Sequence, residues 1–117
     1  MADVVEKIAD DVYLIKQPFN GIFTGVTIVL GEPDIGIVDT GLETTPSDYI
    51  FPFLRKMGHK PEDINYIVNT HRDGDHIWGN KAIREKSHAK IAVHELDADA
   101  VGAVDIKLRD DEIVKLG

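Results

Sequence analysis

Apolar and polar positions change their period several times along the chain, and each change predicts an element. Val12-Tyr13-Leu14-Ile15 reads as a short strand, and Val26 to Leu30 as a second that is apolar on both faces, as in a sheet covered on two sides. Gly31-Glu32-Pro33-Asp34 supplies a turn, so Ile35 to Asp39 becomes the hairpin partner, and the chain leaves it abruptly at Asp39-Thr40-Gly41. Thr45 followed by Pro46 predicts an N-cap with proline in the first helical turn. Ile50, Phe53, Leu54 and Met57 then repeat at i, i+3, i+4 and i+7, which predicts a stripe facing a core. Pro52 falls inside that pattern and should kink the helix or delay its start, while Gly58 is placed to end it.

Ile64 to Asn69 returns to a strand pattern, and Thr70 to Gly74 forms a loop at its end. Asp75 is placed to cap a helix running to about Lys86, Lys90 to Val93 is the next strand, and His94 to Ala103 is predicted helical. The order of hairpin, helix, strand, loop, helix, strand and helix suits a layered α/β (α+β) sandwich, with helices covering a sheet. There is no repeat and no linker, and at this length residues 1–117 are expected to form one domain or less.

Composition narrows the function classes. Apolar content of 43% with 29% charged residues describes a folded globular chain. Thirteen basic against twenty-one acidic residues give a net charge of −8, which opposes phosphate backbones and anionic membranes, so neither nucleic acid nor membrane is an expected partner. Cysteine is absent, so any metal must be held by imidazole and carboxylate. Met1 to Lys16 intersperse Asp, Glu and Lys among apolar residues and carry no signal-peptide or membrane-span pattern, which makes the cytoplasm the default location.

The chemistry concentrates in Asn69-Thr70-His71-Arg72-Asp73-Gly74-Asp75-His76. A loop at the end of a buried strand aims several side chains at one point, and His71, Asp73, Asp75 and His76 are spaced as a two-metal site requires. The bland alternative is a polar loop in which Asp75 caps a helix and the histidines face water. His59, in a helix-ending turn, and His88, before a strand, read as surface residues. His94 reads as structural at a helix start, and Trp78 either lines a cleft or packs beneath the loop.

Thr70, His71, Asp75 and His76 match the Thr-His-x-His-x-Asp-His signature of the metallo-β-lactamase superfamily, which the chain resembles; Asp73 stands in place of the middle histidine. Asp39-Thr40-Gly41, Lys60-Pro61-Glu62-Asp63-Ile64, Gly79-Asn80 and Lys90 to Asp97 are similar to further segments of that family, and Leu108 to Gly117 resembles the strand pair that leads into its later half. The family's Gly-His-Thr-Pro-Gly segment, bridging Asp and final His do not occur in these residues.

The resemblance implies the N-terminal half of an αββα sandwich and a metal-dependent hydrolase in which a metal-activated water attacks a carbonyl or phosphoryl centre of a small-molecule substrate. It implies His71 and Asp73 at one metal and Asp75 and His76 at a second, with Asp75 also orienting the water and Asp39 positioning the loop. Zinc is the first expectation for the divalent metal. Asp73 brings in iron and manganese, because carboxylate oxygen suits harder ions. Two other readings stay open: a non-catalytic half-domain that homodimerises through an uncovered face, and a di-iron redox protein.

Overall fold

The computed structural model describes residues 5–19, 21–31, 34–70, 77–101 and 104–109. Seven strands form one sheet in sequence order: β1 (Val5–Ala9), β2 (Val12–Phe19), β3 (Ile22–Leu30), β4 (Ile35–Val38), β5 (Ile64–Asn69), β6 (Lys90–His94) and β7 (Ile106–Leu108). Neighbours from β1 to β4 pair antiparallel, and those from β4 to β7 pair parallel. The change falls at β4, where a tight hairpin gives way to connections that cross over the sheet. A π-helical turn (Pro46–Ile50) runs into α1 (Phe51–Lys56) between β4 and β5, α2 (Asn80–Lys86) lies between β5 and β6, and the short α3 (Ala98–Val101) between β6 and β7.

Register sorts the side chains into two faces. Tyr13, Ile28, Ile37, Ile67 and Ile91 stand beside one another from β2 to β6, and all four isoleucines are at most 2% exposed. Ile50, Phe51, Leu54 and Ile83 from the helical segments belong to the same buried cluster. Each such isoleucine contributes roughly 1.5–3 kcal/mol by leaving water. The neighbouring ladder on the other face is Leu14, Thr27, Val38, Val68, Ala92 and Ile106, of which only Ala92 is buried.

The expected strands are present, but longer or more numerous. β2 continues past Ile15 to Phe19, because Pro18 lies beyond the last residue that pairs with β1, where one missing N–H is tolerated. β1 and β7 are additional edge strands. Where β4 and β5 slip register, the Asn65 side chain accepts the Ile35 N–H at 2.9 Å and fills the irregularity.

The helical expectations need more correction. Thr45 occupies the N-cap position with Pro46 in the first turn, as expected, but its side chain makes no capping bond: the backbone is already helical (φ −56°, ψ −42°), and the hydroxyl accepts the Leu42 N–H at 2.8 Å while donating to Gln17 Oε1 at 2.7 Å. Tertiary partners have claimed the side chain. α1 ends at Gly58 as expected, with Gly58 N–H bonded to Arg55 O and His59 N–H to Leu54 O, a Schellman arrangement. That early end turns Met57 outward, so it is 37% exposed and the buried stripe is Ile50, Phe53 and Leu54. The described part of the second helix begins at Asn80 with Gly79 in the capping position; Asp75, the expected cap, lies outside the described residues. After β6 the chain turns through Glu95 to Asp97 before the short α3, in place of a helix starting at His94.

Replacing Ile37, in the middle of the covered ladder, by Ala is expected to lower the free energy of unfolding by about 2–5 kcal/mol in urea titrations. Met57→Ala should cost less than about 1 kcal/mol. Equal losses would show that Met57 belongs to the core.

Candidate metal centre

Ligands in open sheets with parallel strands gather beyond the strands' carboxyl ends, and the polar residues here gather beyond β4 and β5. Asp39 follows β4 and Thr70 follows β5. The Thr70 N–H donates to Asp39 Oδ1 at 2.7 Å and the Thr70 hydroxyl to Asp39 Oδ2 at 2.6 Å, so both carboxylate oxygens grip one residue. Asp39 is itself 5% exposed and anchored by its own N–H to Val68 O at 2.7 Å. Its backbone is left-handed, at φ 62°. Aspartate is among the few residues that enter this region readily, and the strain of order 1–3 kcal/mol is offset by the charge-assisted bonds it makes possible.

The far side of the same loop is held by a second set of bonds. Thr40, fully buried, donates its hydroxyl proton to Asn80 Oδ1 at 2.6 Å, and Asn80 in turn pairs with Asn69. Gly79 packs so closely here that a Cβ would run into the Thr40 carbonyl oxygen and approach Pro46 Cγ at 2.9 Å, so only glycine fits. Below this, Gln17 and Thr45 extend the hydrogen-bonded layer to β2. Among the described residues no buried side-chain nitrogen or oxygen lacks a partner.

The four expected ligands, His71, Asp73, Asp75 and His76, lie outside the described residues, and what the structure places is the frame on either side of them. Among the described residues no three His, Asp or Glu side chains converge on a common point. By donor chemistry, the two imidazoles and two carboxylates of residues 71–76 suit a divalent cation. Of the other histidines, His59 has its Nδ1 4.0 Å from Asp63 Oδ2, His88 is exposed, and His94 Nδ1 accepts the Leu96 N–H at 3.2 Å in the turn after β6. Trp78 is 50% exposed and lines grooves on both its sides, one with Leu42, Glu43 and Thr44, the other with Ile77, Lys81, Arg84 and Val101.

The family model described as the metallo-beta-lactamase superfamily matches residues 26–108. The chain belongs to the metallo-beta-lactamase superfamily. Relatives include the hydroxyacylglutathione hydrolase of Pelagibacter ubique, 34% identical over 62 residues that make up 53% of this chain and 26% of that protein. The N-acyl homoserine lactonase of Bacillus cereus is 36% identical over 56 residues, or 48% of this chain and 21% of that one. Among solved structures, the beta-lactamase from Chitinophaga pinensis superposes on 97% of this chain with a TM-score of 0.84 and 22% identity, and the match takes in 48% of its length. This chain therefore spans about half or less of the proteins it matches. The layered α/β expectation holds, and the family is one of metal-binding hydrolases. No helix among the described residues is long and apolar enough to cross a membrane.

Asp39→Asn separates the carboxylate from the backbone, because asparagine accepts the same left-handed conformation and keeps one acceptor for the Thr70 N–H. It should destabilise the chain by about 1 kcal/mol, against about 3 kcal/mol for Asp39→Ala, which removes both acceptors. Chemical denaturation of the two variants measures this, and equal losses would mean that hydrogen bonding to Thr70 is not what Asp39 contributes.

Proposed function

We propose that this chain carries the metal-binding part of a hydrolase acting on an acyl carbonyl, with His71, Asp73, Asp75 and His76 as its ligands. The observation that carries this reading is the frame: Asp39–Thr70 on one side and Thr40–Asn80 on the other bracket the donor-rich stretch at the carboxyl end of β5. His71 and Asp73 would hold one cation, and Asp75 and His76 a second. When bound, a divalent cation supplies Lewis acidity, polarising a carbonyl and activating water at neutral pH. Asp75 would orient that water, and Asp39 keeps Thr70, which directly precedes the ligand stretch, in place. The names of two relatives, hydroxyacylglutathione hydrolase and N-acyl homoserine lactonase, support an acyl substrate. Zinc is the proposed metal; the carboxylate of Asp73 at a position where the family has histidine keeps iron and manganese as the alternatives to be measured. The family's later ligand segments do not occur in the 117 residues, so hydrolysis by this chain alone should be slow.

Metal analysis of protein purified without added metal, followed by zinc titration, tests the reading. Bound zinc whose affinity falls by about 10-fold or more in His71→Ala and Asp75→Ala supports it. Asp73→His should tighten binding. Iron with a visible spectrum would replace hydrolysis by a redox role, and absence of any metal affinity would overturn both.

The half-exposed ladder of Leu14, Thr27, Val38, Val68 and Ile106 favours a second reading, in which a further copy of the chain covers this face. Partly exposed apolar side chains grouped on one face suit an interaction site. Light scattering at micromolar concentration should then give twice the chain mass of 13.0 kDa, and Val68→Lys should restore the monomer. A monomeric unmodified chain sinks the idea.

A further inference from the structure

Two buried asparagines flank the ligand stretch and bind each other. Asn69, the last residue of β5, and Asn80, the first of α2, are 3% and 8% exposed. Asn80 Nδ2 donates to Asn69 Oδ1 at 2.7 Å, and Asn69 Nδ2 donates back to Asn80 Oδ1 at 3.2 Å. Thr40 adds a third bond to the same Asn80 oxygen at 2.6 Å. For stability alone this is an odd choice. A hydrogen bond exchanged for water contributes only about 1 kcal/mol net, and apolar residues of the same shape could fill the space nearly as well. Val93, beside Asn69 in the ladder, is such a residue. What a reciprocal amide pair adds is direction: its bonds are satisfied at one separation and one orientation, whereas apolar contacts tolerate sliding.

We infer that Asn69 and Asn80 are positioning residues that fix the distance between the two chain segments flanking residues 71–76, and so set metal affinity without touching the metal. The inference rests on the metal-binding reading above. Asp39 and Thr40 make the pairing rigid, because adjacent residues of one loop hold Thr70 on one side and Asn80 on the other.

The test measures zinc affinity by competition with a chromophoric chelator, and urea unfolding of the metal-free protein, for Asn69→Ala, Asn80→Ala and the double variant. Each single change should weaken zinc binding by about tenfold, the lower end for groups that orient metal ligands. The double should be no weaker than Asn80→Ala alone, because that change already removes both bonds of the pair and the Thr40 bond. Thr40→Ser, which keeps the hydroxyl, should stay within about twofold of the unmodified chain, and Thr40→Val, which keeps the volume, should not. The Thr40 variants decide the matter if an asparagine variant does not fold. Lower unfolding midpoints with unchanged zinc affinity would overturn the inference and leave the metal reading standing. No zinc binding by the unmodified chain would overturn both.

Discussion

The buried carboxylate of Asp39 ties the end of β4 to the end of β5. It sits where β4 ends, in a backbone conformation that few residues adopt, and spends both oxygens on Thr70 at the end of the neighbouring parallel strand. Parallel pairing is what brings the two ends together: β4 and β5 run in the same direction, so residues one or two past each strand emerge side by side. In an antiparallel pair Asp39 would face the beginning of its neighbour, and no such clamp could form. The switch from antiparallel to parallel at β4 is thus the topological condition for the site, and the cross-over helices that parallel pairing demands also supply the cover for the isoleucine ladder.

Buried hydrogen-bonding groups form a polar layer to which each element contributes one side chain: Gln17 from β2, Thr40 from the loop after β4, Thr45 at the start of the helical segment, Asn69 from β5 and Asn80 from α2. Each is buried. Such a layer is costly if any member is left unpaired and orienting when all are paired. Its completeness, together with the tight approach of Gly79 to Thr40, gives the end of the sheet a more specific geometry than the isoleucine-rich middle needs.

Runs of β-branched residues made β3, β4, β5 and β6 legible, because a buried strand is recognisable from its own composition. The edge strands were not. β1 is exposed over most of its length and mixes Glu6 and Lys7 with apolar residues, and β7 has only three residues, so neither carries a periodic signal apart from its neighbour. The use of the Thr45 side chain was hidden for a related reason: a Thr-Pro step before an apolar stripe marks the start of the helical segment, as it does here, while the partner that takes its hydroxyl, Gln17, is 28 residues away. Met57 obeys the helical period, but Gly58 ends the helix before that period can bury it. The ligand motif was readable as a motif, and so were Gly79 and Asn80 by family resemblance. The pairing of Asn80 with Asn69 was not, since nothing in an eleven-residue separation says that two amides will meet.

The second face of the sheet bears on the site as well. An antiparallel sheet with one face in water alternates apolar and polar residues, yet the ladder opposite the helices is built from Leu14, Val38, Val68, Ala92 and Ile106, with Thr27 its one polar member. These residues are of the kind found against a second layer. The ladder also runs up to the site: Val38 immediately precedes Asp39, and Val68 is two residues before Thr70 while accepting the Asp39 N–H. Any layer that buries Val38 and Val68 therefore comes up to the residues that form the Asp39–Thr70 clamp.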